Sequence, residues 1–209
     1  MLSPLAVHEA AEALLGCVCE ALDELPEQVD GMAGCPCRVC VVPGAPAADG
    51  CDGGCDMPPG VWPGQLTVNV QRLYGSDRVN FPAEVQTARD LAVCALPQVT
   101  AVELVITLWR CSPGPSDDGC PPPCDELAAA AMQMHADLLA VQKAVLCCFA
   151  ATDSGSRKGR RYTLGRTDTL GPQGGCVGFQ TLVTVALDDV VGQAVRRPQT
   201  GAQSLQKGV

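Results

Sequence analysis

The chain has 209 residues, a mass of 21.6 kDa and a net charge of −9 at neutral pH, and it is 47% hydrophobic but only 3% aromatic. This length predicts one domain of ordinary size with tails, and the apolar content excludes a wholly disordered chain. The acidic total disfavours nonspecific nucleic-acid binding as the main activity, because such binding draws its affinity from Lys and Arg side chains that neutralise phosphates.

Charge changes sign along the chain. Residues 1–56 hold ten acids and one base, whereas residues 150–209 hold four acids and eight bases. Glu9 and Glu12 lie where a secretory signal would be apolar, and charged residues interrupt the apolar runs, so we expect neither an export signal nor a membrane span. A basic cluster lies in a Ser/Gly-rich stretch, where a solvated loop is a simpler interpretation than a phosphate contact. Its members are Arg157, Lys158, Arg160 and Arg161.

The first half of the chain predicts one helix and two strands. Ser3 followed by Pro4 favours a helix start, and apolar residues at helical spacing continue the helix to about Pro26. Residues 37–42 read as a short strand, and residues 43–64 form a loop rich in Cys, Pro and Gly. From Leu66 to Leu73 apolar and polar residues alternate, which is typical of a half-buried strand.

The second half predicts a central strand, a helix and a final strand. A connection over residues 75–97 has weak helical character at 83–91. Residues 101–110 are apolar on both faces, as in a central strand. A helix from Asp125 to Cys148 should pack on the sheet. After a Gly/Ser/Arg loop and a glycine-rich turn, residues 179–187 alternate as a last strand.

The order helix, strand, strand, strand, helix, strand predicts the α+β class, with a mostly antiparallel sheet of about four strands packed by two main helices. A doubly wound nucleotide-binding fold is disfavoured by this order. We expect a single domain over residues 1–191, with the Cys/Pro/Gly-rich loop at 43–64, and a flexible C-terminal tail over residues 192–209.

Cysteine is the unusual feature, with 14 residues in the chain. Cys17, Cys147 and Cys148 lie among apolar helical residues and are interpreted as buried thiols of the core. Cys120 and Cys124 predict either a stapled loop or two exposed thiols. Five cysteines within twenty-one residues rich in Gly and Pro predict a loop clipped by disulfides or by zinc, and their spacing does not decide between the two. These candidates are Cys35, Cys37, Cys40, Cys51 and Cys55.

No motif predicts catalysis. The two histidines, His8 and His135, both lie within predicted helices, away from the strand-to-loop turns that carry catalytic bases. Cys37 and Cys40 form a C-x-x-C spacing inside a strand, whereas a redox dithiol favours a helix N-terminus. We therefore expect no catalytic residues and no resident cofactor, with zinc at the cysteine-rich loop as the one candidate.

Two further motifs have structural interpretations. The glycine-rich segment 171–178 precedes a strand, whereas a phosphate-binding loop opens a helix, so a tight turn is favoured. Asp188 and Asp189 form a carboxylate pair without a second acidic pair nearby in sequence.

Several segments together resemble a group of neck or tail-end proteins of actinobacterial siphophages, over about residues 30–190. The strand-end sequence RCSP and the pre-strand sequence GPQGGCVG are distinctive as a pair. The segments are GCPCRVCVVPG, AADGCDGG, GQLTVNVQRLYGSDRVNFP, ELVITLWRCSPGPSDDGCPPP and GPQGGCVGFQTLVTVAL.

Within that group the element order is similar to that of tail terminator proteins. The resemblance implies a structural virion protein and no enzyme: a hexameric homo-oligomeric ring that caps the tail tube and joins it to the head connector. Its implied partners are the major tail tube protein and the head-to-tail stopper or connector, and DNA would pass through the lumen without specific binding. The implied location is the neck of the virion, assembled in the host cytoplasm.

Two other interpretations stay open. A head-to-tail stopper or adaptor of the same neck is also a ring, although stoppers are mainly small β-barrels, which two strong helices disfavour. A zinc-stabilised adaptor that binds proteins through its cysteine-rich loop belongs to a different class. An enzyme ranks third, since it would need a selectively reactive thiol.

Overall fold

The computed structural model describes residues 5–48, 51, 62–85, 99–116, 118–151, 161–173 and 175–187. The α+β class is confirmed, because two main helices accompany a five-stranded, mostly antiparallel sheet. In chain order the elements are α1 (Ala6–Asp23), a short α2 (Leu25–Gln28), β1 (Pro36–Val42), β2 (Trp62–Ser76), β3 (Val99–Cys111), α3 (Cys124–Lys143), β4 (Tyr162–Gln173) and β5 (Cys176–Leu187). A π-helical turn, Ala144–Cys148, and a 3₁₀ turn, Phe149–Ala151, continue α3.

The strands follow the order β1-β2-β3-β5-β4 across the sheet. β1 pairs with β2 in parallel, and the other three pairings are antiparallel. β3 lies in the middle and is buried on both faces, so the prediction of a central strand is confirmed. The glycine-rich turn is confirmed as well, because the β4–β5 hairpin turns at Gly175, whose φ is +75°.

The sequence-based order lacked one strand. β4 occupies the segment that was predicted as a Gly/Ser/Arg loop, so the sheet has five strands and the last helix is followed by a hairpin. β4 lies at the sheet edge and is mostly exposed, so Arg166 and Asp168 are tolerated within it and its apolar alternation is weak. Its β-branched residues Thr163, Thr167 and Thr169 were the available signal.

The core lies between the helices and one face of the sheet, which we call the helix face. Its buried members come from the main helices and from β2, β3 and β5, whereas β1 and β4 contribute only partly buried side chains. The largest of these are Leu14, Val18 and Leu22 of α1, Leu66, Val68, Leu104, Ile106 and Leu108 of β2 and β3, Phe149 after α3, and Phe179 of β5. The amphipathic pattern of α1 is thereby confirmed.

Only the second half of α3 packs in this core. Val141 and Val145 are fully buried, whereas Leu127 is 44% exposed and Ala131 is exposed, although the helix from Asp125 to Cys148 was predicted to pack on the sheet. The apolar spacing was correct from about Met134 onward. Alanines in the first turns of α3 keep the helix stable without packing.

The continuous helical stretch Cys124–Ala151 has 28 residues, and an 18-residue window within it has a mean hydropathy of 1.4 and is 33% buried. By length and composition alone it could cross a membrane, so the argument that its charged residues exclude a span does not hold. In the structure this stretch packs against α1 and carries the buried, ion-paired Asp137.

The opposite side of the sheet, which we call the second face, is polar yet buried in the middle of β2. Gln65, Thr67 and Asn69 are at most 5% exposed, so β2 is not the half-buried strand that alternation predicted. The chain after β1 crosses here, since Gln65 Nε2 donates to the Ala47 carbonyl at 3.5 Å. β2 is also longer than predicted and begins at Trp62, inside the expected 43–64 loop.

Several predictions fall outside the described residues. These are the Ser3 cap, Cys55, most of the 43–64 loop and of the 83–91 segment, three of the four residues of the basic cluster, the pair Asp188 and Asp189, and the 192–209 tail.

Gly178 of β5 pairs with Trp109 of β3, and there is no room for a side chain there. A Cβ at this position would overlap the Leu108 carbonyl oxygen and lie 2.9 Å from the Trp109 ring. We expect Gly178→Ala to lower the free energy of unfolding by about 1–3 kcal/mol in chemical denaturation, because the strands must separate. Gly171→Ala is the matched control, since nothing lies within 4 Å of its Cβ position; equal effects of the two variants would contradict the argument.

Candidate functional site

The five cysteines predicted to clip one loop do not gather in one cluster among the described residues. Cys35 forms a disulfide with Cys19 of α1, and Cys37 is also disulfide-bonded. Cys40 lies on β1 as a thiol, and Cys51 lies near the end of β3. The sequence pattern correctly marked this segment as rich in cross-links but could not show that the partners come from other elements.

Three potential metal ligands do lie together, at the junction of α1 and β1. One ligand atom each from Cys19, Asp23 and Cys35 falls within 4.8 Å of the others. Asp23 also accepts a hydrogen bond from the backbone N–H of Cys35 at 2.8 Å. Two thiolates and a carboxylate suit zinc, but the Cys19–Cys35 disulfide uses both sulfurs, so only the reduced chain offers this ligand set.

A second disulfide joins α1 to the end of α3. Cys17 and Cys148, predicted to be thiols of the core, are bonded to each other. Cys147, predicted to be buried with them, is an exposed thiol, because adjacent residues of a helical turn point in different directions. It lies in a surface cleft of about 260 Å³ lined also by Lys143, Glu20 and Glu24. Cys120 and Cys124 are both exposed thiols, so the second interpretation given for them is confirmed.

The most concentrated arrangement lies where β3 ends and β5 begins, which we call the thiol end of the sheet. Cys111 of β3 lies directly opposite Cys176 of β5, and the Ser112 N–H donates to the Gly175 carbonyl at 2.8 Å. The Cys51 thiol lies close enough to Cys111 and Cys176 for both of them to raise its pKa. Three segments far apart in sequence therefore meet at this end.

Glycines allow the backbones to approach closely at the thiol end. Gly64, at the start of β2, has φ +119°, and a Cβ there would overlap the Trp109 carbonyl oxygen. Gly178 approaches the β3 backbone in the same way from the other side. The glycines that frame the sequence motifs are therefore required by strand packing on both sides of β3.

A buried ion pair anchors the same end of β3 to α3. The Arg110 guanidinium donates to both carboxylate oxygens of Asp137, from Nε at 2.9 Å and from Nη2 at 3.0 Å. Gln133 donates to Asp137 at 2.8 Å and also bonds the backbone of Ala33 in both directions. Burial raises the pKa of Asp137, while the hydrogen bonds and charge of Arg110 oppose that shift. The sequence suggested neither Asp137 nor Gln133 as a key residue.

Polar atoms on the second face lack partners. Gln65 Oε1, Thr67 Oγ1, Asn69 Oδ1 and Trp109 Nε1 are buried without a hydrogen-bond partner in the structure. All four side chains belong to the middle of β2 and the end of β3, on the side of the sheet opposite the helices. Buried polar atoms of this kind are commonly hydrogen-bonded to ordered water. The buried part of the second face is therefore polar and is not an apolar pocket.

Both histidines are exposed on helices. His8 is exposed and lies 3.2 Å from Glu12 of the same helix. His135, predicted to lie within a helix, is exposed on α3. Arg161, the described residue of the basic cluster, donates to the Arg78 carbonyl and stacks on Phe81. No model of a known protein family matches the sequence, and no curated protein is significantly similar to it.

Removal of the Asp137 carboxylate should be costly, because it leaves the Arg110 charge buried without an opposite charge. We expect Asp137→Asn to lower the free energy of unfolding by about 3–5 kcal/mol, measured by urea denaturation. The control is Glu24→Gln, which breaks the exposed 2.7 Å pair with Lys143 and should change the midpoint little. An Asp137→Asn variant as stable as the native chain would show that this pair does not anchor β3 to α3.

Proposed function

We propose that this chain is a structural virion protein of a phage neck, a tail terminator whose ring caps the tail tube and joins it to the head connector. The major tail tube protein lies on one side of the ring and the head-to-tail stopper on the other, and DNA passes through the lumen without specific binding. The protein acts in the neck of the virion after assembly in the host cytoplasm, and it is not an enzyme.

The observation that carries the proposal is the convergence of the resembling segments. Each of the segments AADGCDGG, RCSP and GPQGGCVG is separated from the next by more than fifty residues in sequence. Their cysteines, Cys51, Cys111 and Cys176, nevertheless meet at the thiol end of the sheet. Segments that resemble one family and build one local structure support membership more strongly than the same segments scattered over the fold.

The sheet edges suit assembly into a ring. Each outer strand, β1 and β4, has one neighbouring strand among the described residues. The two edges differ in sequence and direction of pairing, so contact between β1 of one copy and β4 of the next is heterologous. Heterologous contacts generate closed rings when the rotation between copies closes, which a two-fold contact cannot do.

The charge of α1 suits a lumen that DNA crosses. Glu9, Glu12, Glu20 and Glu24 are exposed on the side of α1 away from the core. A ring that turns this surface inward repels the phosphates of a passing duplex and so avoids retaining it. If these glutamates lay on the outer wall of the ring, their charge would no longer support a lumen that DNA crosses.

Native mass spectrometry of the full chain without reductant tests the assembly. We expect a closed ring of six 21.6 kDa chains without bound metal. A monomer or a two-fold dimer that persists in the presence of isolated tail tubes would contradict the proposal.

A substitution at the β1 edge tests the interface itself. Val39 lies on this edge and is 38% exposed. We expect Val39→Asp to convert the ring to monomers, because the contact with the next copy would bury the new carboxylate. Val79→Asp is the control, since Val79 is 90% exposed in the turn after β2, outside the sheet. Thermal unfolding checks that both variants are folded, and a Val39→Asp ring that survives dilution would exclude the β1 edge.

One observation favours a second candidate, the zinc-stabilised adaptor. The cluster of Cys19, Asp23 and Cys35 could hold a metal ion in the reduced chain. In that case the reduced protein would retain one zinc per chain through dialysis, and chelation would unfold it. A metal-free reduced protein with unchanged circular dichroism excludes this candidate.

A head-to-tail stopper remains the nearest alternative within the neck, and binding to tail tubes but not to portal rings separates the terminator from it.

A further inference from the structure

Three thiols from three segments meet at the thiol end of the sheet, and no disulfide joins them in the structure. Cys51 precedes β2, Cys111 ends β3 and Cys176 begins β5. The hydrogen bond from Ser112 N–H to the Gly175 carbonyl makes the neighbouring Cys111 and Cys176 a non-hydrogen-bonded cross-strand pair. Side chains stand closest together at such positions.

The Cys51 thiol completes the group, because it lies beside both Cys111 and Cys176. Cys176 is 1% exposed, whereas Cys51 and Cys111 are partly exposed. A reagent in solution can therefore reach Cys51 and Cys111 but not Cys176. Cys51 and Cys111 are therefore a pair of accessible thiols, and Cys176 is a third, enclosed thiol beside them.

We propose that Cys51, Cys111 and Cys176 form a thiol–disulfide site, in which Cys51 becomes bonded to Cys111 and Cys176 can replace Cys111 by exchange. The disulfide joins the segment between β1 and β2 to the end of the central strand. The site exists in the single chain, so it does not depend on ring formation. The oxidant is a low-molecular-weight disulfide, of the kind that reducing cytoplasm keeps scarce and oxidising surroundings supply.

The chemistry balances in two steps. The Cys111 thiolate attacks one sulfur of the small disulfide, forms a mixed disulfide and displaces one small thiolate. The Cys51 thiolate then attacks the Cys111 sulfur and displaces the second small thiolate. The two protein sulfurs are oxidised, the two sulfurs of the reagent are reduced, and the two protons of the protein thiols end on the two small thiols released.

The second step should be slow near neutral pH. Burial, together with the neighbouring Cys111 and Cys176 thiols, raises the pKa of Cys51 well above its usual range. Only the thiolate attacks, so the rate of the second step should rise about tenfold per pH unit between pH 7 and 8.5. The mixed disulfide at Cys111 therefore accumulates at pH 7 and resolves as the pH rises.

Disulfide mapping of the full chain tests the site. The protein is reduced, exchanged into oxidised glutathione at pH 8.5, alkylated and digested with trypsin. Cys51, Cys111 and Cys176 then lie in three different tryptic peptides, residues 39–72, 111–143 and 167–196. We expect peptide 39–72 to be joined to peptide 111–143 through Cys51 and Cys111, with fragmentation assigning the sulfurs.

Matched variants separate this site from the other cysteines. Cys51→Ser should abolish the link to peptide 39–72 and leave Cys111 either as a glutathione adduct or joined to Cys176, its cross-strand neighbour. In Cys111→Ser, peptide 39–72 should instead be joined to peptide 167–196 through Cys51 and Cys176, because Cys176 is the remaining neighbour of Cys51. Cys120→Ser is the control, since Cys120 is an exposed thiol in the same peptide as Cys111, and it should change nothing.

Two results would overturn the proposal. One is quantitative alkylation of Cys51 after oxidation of folded protein, while the Cys17–Cys148 disulfide has re-formed. The other is a link from peptide 39–72 that persists in Cys51→Ser, since Cys40 or Cys55 would then supply the sulfur. Circular dichroism of each variant before oxidation ensures that a lost link is not caused by unfolding.

Discussion

The buried pair between Arg110 and Asp137 holds the two layers of the fold in register. Arg110 is the penultimate residue of the central strand, and Asp137 lies in the middle of α3, where the helix enters the core. Two parallel hydrogen bonds fix both the distance and the rotation between strand and helix. Gln133 extends the network to Ala33, just before β1, so three elements are oriented by one carboxylate. Val141, Val145 and Phe149 can then fill the core beyond this point.

Because the pair fixes the end of β3, it also fixes the neighbouring thiol end. Cys111 follows Arg110 directly and points to the opposite face of the sheet, as strand alternation requires. On the helix face, this end of β3 therefore makes the ion pair with α3. The three thiols lie on the second face. Gly64 and Gly178 let the flanking strands approach closely enough to complete the arrangement. The interpretation as a neck protein depends on this local structure, because it is where the resembling segments meet.

The spacing of apolar residues predicted the elements that bury a continuous apolar surface. The α1 helix, the central β3 strand and the final strand came from apolar spacing, since each buries a continuous stripe or both faces. β4 was missed because an edge strand needs little apolar surface, and because charged residues such as its Arg166 and Asp168 are typical of loops. The exposure of Leu127 was missed because spacing cannot show where a partner helix ends. The disulfide between Cys17 and Cys148 was missed because 131 residues separate the two, and only tertiary structure brings them together. The glycine-rich turn before β5 was predictable, since its chemistry is local.

The central claim is that copies of this fold close into a ring through unlike sheet edges. A cryo-EM reconstruction of the purified full chain tests it most directly. The account predicts a closed ring in which β1 of each copy lies beside β4 of the next and the acids of α1 face the opening. A two-fold dimer joined through α3, or a ring with the acidic side of α1 on the outer wall, would contradict it.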